Sequence, residues 1–178
     1  MNIDDIFNNL NILIDVFYQK GDWSFHQQFD DFLLSIDKID EREFVFELCQ
    51  VCLLLKNSSY SAILLDLIHV LSLKDKKLIA FFNQLLVENW HEQHESLIYF
   101  IEMYLDKSSV SFLYHSLSVK NDWLNAVGYY AFHKKVIWAI FKIEGKSSLP
   151  MIKSYQYKLD KDLQKDLPNW INRRMNNR

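Results

Sequence analysis

The residues best placed to do chemistry lie in the segment Trp90-His91-Glu92-Gln93-His94-Glu95. Spacings of three and four bring side chains together on a helix, so His91, His94 and Glu95 would share a face able to ligate a divalent metal. A zinc-peptidase helix is excluded, because that motif places two residues between its glutamate and its second histidine, and only Gln93 stands there. No third ligand helix accompanies the trio, so no metal is expected. His94 and His133 are instead read as histidines that hydrogen-bond backbone at helix starts. Cys49 and Cys52 form a lone Cys-x-x-Cys. A redox pair of that spacing belongs at a strand-to-helix turn and a zinc site needs two further ligands, so both read as small core residues on a buried helix. Gly145-Lys146-Ser147 invites a phosphate-loop reading, but that motif needs glycine where Ile140 stands and a strand before it. The six histidines form no triad with acids, and no serine or cysteine lies in a nucleophile elbow. The paired acids Asp4-Asp5, Asp30-Asp31 and Asp160 with Asp162 fall on faces that the apolar pattern leaves to solvent. The chain therefore reads as a non-enzyme without a cofactor.

The elements that would carry these residues repeat. His94 to His133, Ile101 to Ile140 and Lys107-Ser108-Ser109 to Lys146-Ser147-Ser148 are each separated by 39 residues. In that register Leu97 answers Val136, Ile98 answers Ile137 and Leu113 answers Ile152, so apolar positions match apolar positions. The expected core includes Leu97, Ile101, Tyr104, Leu113, Val136, Ile140, Ile143 and Ile152. A two-helix repeat of roughly 40 residues has the size of a HEAT or armadillo unit, which buries its apolar face by stacking on neighbours. The fold class expected is all-α, a short α-solenoid of HEAT-like antiparallel helix pairs. One domain spans 1–178, with the repeats clearest over 90–158.

Composition agrees with an all-α chain. Three glycines and two prolines in 178 residues leave little turn chemistry for a β fold. Ile3, Ile6, Phe7, Leu10, Leu13, Ile14 and Phe17 mark an amphipathic helix over about Ile3 to Tyr18, and comparable patterns predict helices over about Asp40 to Leu55 and up to about Leu71. Ser58-Ser59, Ser108-Ser109 and Ser147-Ser148 each follow one apolar helix and precede another, which suits N-caps. Pro168 is expected to reset a helix after Leu167. The segment from Lys120 to Tyr130 is the least helical of the second half. Loops of solenoids often carry the binding surface, and aromatics there give large contact area at low entropic cost. Asp122, Trp123, Tyr129 and Tyr130 are accordingly the expected partner-binding residues.

A formal net charge of −3 argues against a nucleic-acid binder. An acidic start, Met1-Asn2-Ile3-Asp4-Asp5, is unlike a signal peptide, and no apolar run approaches a membrane span. A cytoplasmic protein with no membrane or nucleic-acid partner is expected.

Several of these segments together are similar to a known family. Trp90-His91-x-x-His94-Glu95 before an apolar helix, Asp106-Lys107-Ser108-Ser109-Val110 opening its partner, Asp122-Trp123-Leu124, and Lys135-Val136-Ile137-Trp138-Ala139-Ile140-Phe141-Lys142-Ile143 resemble a bacterial HEAT-repeat family. Some of its members are immunity proteins of polymorphic toxin and contact-dependent growth inhibition systems. The resemblance spans about Trp90 to Tyr155. This chain has Val127-Gly128 where the family usually carries acids, and Phe141 where it carries a small, glycine-containing step. The resemblance implies a protein that neutralises a cognate toxin by protein–protein contact, a basic nuclease being the class that the acidic balance suits. A non-catalytic scaffold or adaptor is the alternative that the same repeats would serve.

Overall fold

Each apolar stripe of three-four period becomes an α-helix. The computed structural model describes residues 2–38 and 40–176. Its helices are α1 (Ile3–Lys20), α2 (Asp22–Ser35), α3 (Glu41–Leu55), α4 (Ser58–Val70), α5 (Lys77–Leu86), α6 (His94–Tyr104), α7 (Val110–Ser116), α8 (Asp122–Val127), α9 (Tyr130–Glu144), α10 (Leu149–Ser154) and α11 (Lys161–Asn176). Short 3-10 turns occupy Lys107–Ser109, Gly145–Ser148 and Gln156–Lys158. Among the described residues there is no strand, and no helix is long and apolar enough to cross a membrane. The chain divides into two compact units, Met1–Phe81 and Phe82–Arg178.

In the first unit α1 packs on α2 and α4, and α3 packs on α4. The Asn2 side chain caps α1 by accepting the Asp5 amide at 2.8 Å, and Asp4 and Asp5 set negative charge at the positive end of the helix dipole. Phe7 of α1 stacks on Tyr60 of α4 with centroids 3.9 Å apart, and the Tyr60 hydroxyl donates to Asp4. Phe25, Phe29 and Phe44 are buried, and Phe29 lies 5.4 Å from Phe25 and 6.4 Å from Phe44. Cys49 and Cys52 are buried free thiols of α3, as their placement in an apolar run implied. Burial pushes both thiols up, Cys52 to about 12, so both are protonated at neutral pH.

The second unit carries the repeat. α6, a 3-10 turn and α7 are answered by α9, a 3-10 turn and α10, and the helix starts Val110 and Leu149 keep the 39-residue spacing. Glu95 pairs with Lys135 and Glu102 pairs with Lys142. Both acids are seven apart on α6 and both lysines seven apart on α9, so the two helices run side by side in the same direction. Leu97, Ile101, Leu113, Val136, Ile140 and Ile152 are buried, as the repeat register requires. Tyr104 and its counterpart Ile143 are only half-buried, because each sits in the last turn of its helix, where the chain leaves for the 3-10 turn.

Two local expectations are corrected. The serines do not cap. Asn57 caps α4 by accepting the Ser59 and Tyr60 amides, and Asp106 accepts the Ser108 amide at 2.8 Å. Ser147 and Ser148 instead donate back to the carbonyls of Glu144 and Gly145, each at 2.7 Å. The Asn57 and Asp106 side chains stand just upstream and reach the free amides first. Nor does Pro168 reset a helix, because α11 runs through it. Proline removes the N–H that would bond the Gln164 carbonyl four residues back. Gln156 supplies the missing donor, its Nε2 reaching the Gln164 oxygen at 3.0 Å.

Candidate partner-binding surface around α8 and α9

The segment expected to be irregular contains a helix, since residues 122–127 form α8. Asp122 and Trp123 therefore open a helix rather than hang in a loop. The cause is Asn121, which is only 5% exposed. Its Oδ1 accepts the Leu124 amide at 3.1 Å, the ordinary N-cap bond. Its Nδ2 donates to the carbonyls of Asn89 at 2.9 Å and His91 at 2.6 Å, fastening α8 to the turn that precedes α6. Gly128 ends α8 at φ 89, where an L side chain would be strained, and its amide donates to the Leu124 carbonyl at 2.8 Å.

Tyr129 then folds back on the start of the same segment. Its hydroxyl accepts the Asn121 amide at 3.2 Å and donates to Asn125 Oδ1 at 3.0 Å. The two ends of the segment are thus drawn together, and Tyr129 braces the turn with both functions of its hydroxyl. Asp122 is exposed, while Trp123, Tyr129 and Tyr130 are half-buried. Tyr130 opens α9, and the Lys134 ammonium lies 5.5 Å from its ring centroid. Of the four expected residues, Asp122, Trp123 and Tyr130 are not engaged by any hydrogen bond described above, whereas Tyr129 serves the fold.

Behind this segment lie the histidines. The His91 and His94 rings stack at 4.3 Å. His91 Nδ1 accepts the Gln93 amide at 3.0 Å, so its proton is on Nε2, which donates to the Leu85 carbonyl at 2.7 Å. His94 Nε2 donates to the Glu88 carbonyl at 2.9 Å, and His133 Nδ1 accepts the Asp160 amide at 2.9 Å. The two repeat-equivalent histidines do bond backbone, His94 at the start of α6 and His133 in the first turn of α9. Burial lowers the pKa of His91, His94 and His133 to about 4, so all three are neutral at pH 7.

The metal face considered for His91, His94 and Glu95 does not form. His91 lies in the turn before α6 with both ring nitrogens engaged, and Glu95 is paired with Lys135. Among the described residues no group of three or more histidine, cysteine or acidic side chains is gathered as a metal site would require.

Asn121 is the residue that the sequence reading passed over. A signal for it exists, an Asx residue directly before Asp122-Trp123-Leu124, but the two bonds that its Nδ2 donates reach residues some thirty positions away. Comparison with protein-family models, curated proteins and solved structures found no match to this chain.

Proposed function

We propose that this is a binding protein of the immunity class, one that neutralises a cognate bacterial toxin domain by protein–protein contact in the cytoplasm. The observation that carries the reading is the braced turn of α8 and α9. Asp122, Trp123 and Tyr130 are offered on a segment whose backbone is already fastened by Asn121 and Tyr129, so little ordering entropy is lost when a partner docks. Aromatic anchors beside a charge are the usual composition of an energetic hot spot. The 39-residue spacing of the helix starts Val110 and Leu149 and the parallel run of α6 and α9 favour a short HEAT-like solenoid as the frame, whose edges carry such turns.

Charge supports a basic partner. Residues 1–81 hold thirteen acids against seven lysines and arginines, a net −6, while residues 82–178 hold ten against thirteen, a net +3. The turn of α8 and α9 lies in the second unit, so its own attraction for a basic toxin such as a nuclease rests on Asp122, with the acidic first unit adding to the long-range field of the chain. The test is to express the product of a toxin gene adjacent to this one, with and without this protein, and to score survival and co-purification. Survival with a stable complex is expected. Survival unaffected by co-expression, with no complex recovered, overturns the proposal and returns the protein to a scaffold or adaptor role.

A further inference from the structure

The connection between α5 and α6, residues 87–93, has no helical ladder of its own. Backbone bonds from the Val87 amide to Gln84 and from the Glu88 amide to Leu85 close the end of α5. Beyond them the carbonyls of Glu88, Asn89 and His91 accept from side chains, the first from His94 and the other two from Asn121. The His91 ring adds a bond at each nitrogen, donating to the Leu85 carbonyl and accepting the Gln93 amide. Two imidazoles and one carboxamide thus hold the connection, and the imidazoles titrate.

Both rings must be neutral for these bonds to exist. His91 Nδ1 accepts the Gln93 amide only while it carries no proton, and a protonated ring would set one N–H against another. His94 Nε2 carries the proton given to the Glu88 carbonyl. Its Nδ1 is buried and meets no partner among the described residues, so a second proton there would have no acceptor. The two residues are 1% and 0% exposed and their rings stack at 4.3 Å, so two charges would also repel. Burial, joined for His94 by the neighbouring His91, lowers the pKa of each to about 4.

The groups around the pair offer a proton no compensation. Glu88 accepts from the Trp90 indole, and Glu95 of α6 pairs with Lys135 of α9. Glu92, on the connection itself, is exposed. From α9, Phe132 sets its ring edge-on to His94 at 5.6 Å, and the neutral His133 beside it accepts the Asp160 amide. From α8 the contact is the uncharged Asn121.

We infer that residues 87–93 form an acid-released latch. When His91 and His94 take up protons the connection opens, Asn121 loses both carbonyls to which it donates, and α8 comes away while the packed middle of α6 on α9 holds. A six-residue helix does not persist alone, so α8 frays once it is released. The latch goes beyond the toxin reading and does not rest on it.

The experiment is amide hydrogen exchange of the full chain between pH 7 and 5, with each rate divided by the intrinsic rate at that pH. Opening that takes up two protons becomes more favourable by a factor approaching about 100 per pH unit below about pH 6.5, where a free imidazole titrates. Protection of the Gln93, Leu124 and Gly128 amides should fall on that slope, while residues 136–140 stay far better protected. His94→Gln keeps a donor for the Glu88 carbonyl but does not titrate, so the slope should drop to about tenfold per pH unit. His133→Asn, which keeps an acceptor for the Asp160 amide outside the latch, should leave the slope unchanged. Asn121→Ala should leave Leu124 and Gly128 unprotected already at pH 7, with Gln93 still sensitive to acid. Loss of protection at α8 in step with residues 136–140 overturns the proposal, because the whole unit is then unfolding. So does a slope that His94→Gln leaves unchanged, or protection of the three reporter amides that stays flat from pH 6.5 to 5.

Discussion

Replacing Asn121 by alanine should cost far more than loss of an ordinary helix cap. The cap bond to the Leu124 amide is worth about 1 kcal/mol. The two bonds to the Asn89 and His91 carbonyls add about 1 kcal/mol each, and stranding an acceptor in so buried a place raises the total towards about 4 kcal/mol. That is a large share of the roughly 5–15 kcal/mol by which domains are stable. Asp160, thirty-nine residues later, is the internal control. Its side chain accepts the Asp162 and Leu163 amides, at 2.9 and 3.3 Å, so Asp160→Ala should cost only about 1 kcal/mol. Asn121→Asp keeps the cap but turns a carboxylate oxygen towards two carbonyl oxygens, and should be at least as damaging as Asn121→Ala. Urea unfolding of the three variants, with the slope checked for constancy, measures the differences. Equal losses for Asn121→Ala and Asp160→Ala would refute the latch.

Gln156→Ala should cost about 1 kcal/mol in the native chain and almost nothing when Pro168 is also replaced by alanine, since the helix then supplies its own N–H to the Gln164 carbonyl. A double-mutant cycle with no coupling would contradict this. Ile140→Ala, at a side chain with no exposed surface, should lose about 2–5 kcal/mol in the same unfolding assay. A loss below about half a kcal/mol, the scale of a surface change, would mean that its face is misassigned. Stability should also fall on acidification. His91, His94 and His133 titrate near 4 in the folded chain against about 6.5 when unfolded, so the unfolded state binds more protons as pH drops. Their contribution is complete above pH 6.5 and is lost between there and pH 4, by up to about 1.4 kcal/mol per pH unit for each histidine. A flat stability profile from pH 6.5 to 4.5 would refute their burial as neutral rings.

What could be read in the sequence was what depends on periodicity. Leu97 with Val136 and Leu113 with Ile152 are apolar pairs at fixed spacing, and burial followed from that pattern alone. The all-helical class likewise follows from stripes such as Ile3 to Phe17 and from the scarcity of glycine and proline. The failures are places where a distant side chain decides a local structure. Residues 120–130 read as the least helical segment of the second half, yet Asn121 reaches back to residues 89 and 91 and a helix forms behind it. Pro168 looked like a helix start, and nothing near it in sequence reveals that Gln156 serves the bereft carbonyl. Tyr129 stands out as an aromatic in the least helical segment, and what its type could not show is that its hydroxyl also braces the turn through Asn121 and Asn125.

The central claim is that a braced turn offers Asp122 and Tyr130 to a partner while Asn121 and Tyr129 hold it in place. The most direct measurement is toxin neutralisation by Asp122→Lys and Tyr130→Ala, read beside the thermal stability of each purified variant. Exposed Asp122 and half-buried Tyr130 should lose neutralisation with the melting temperature nearly unchanged, whereas Tyr129→Ala should lose stability as well. Full neutralisation by both Asp122→Lys and Tyr130→Ala would contradict the claim, and so would losses of stability that match their losses of activity.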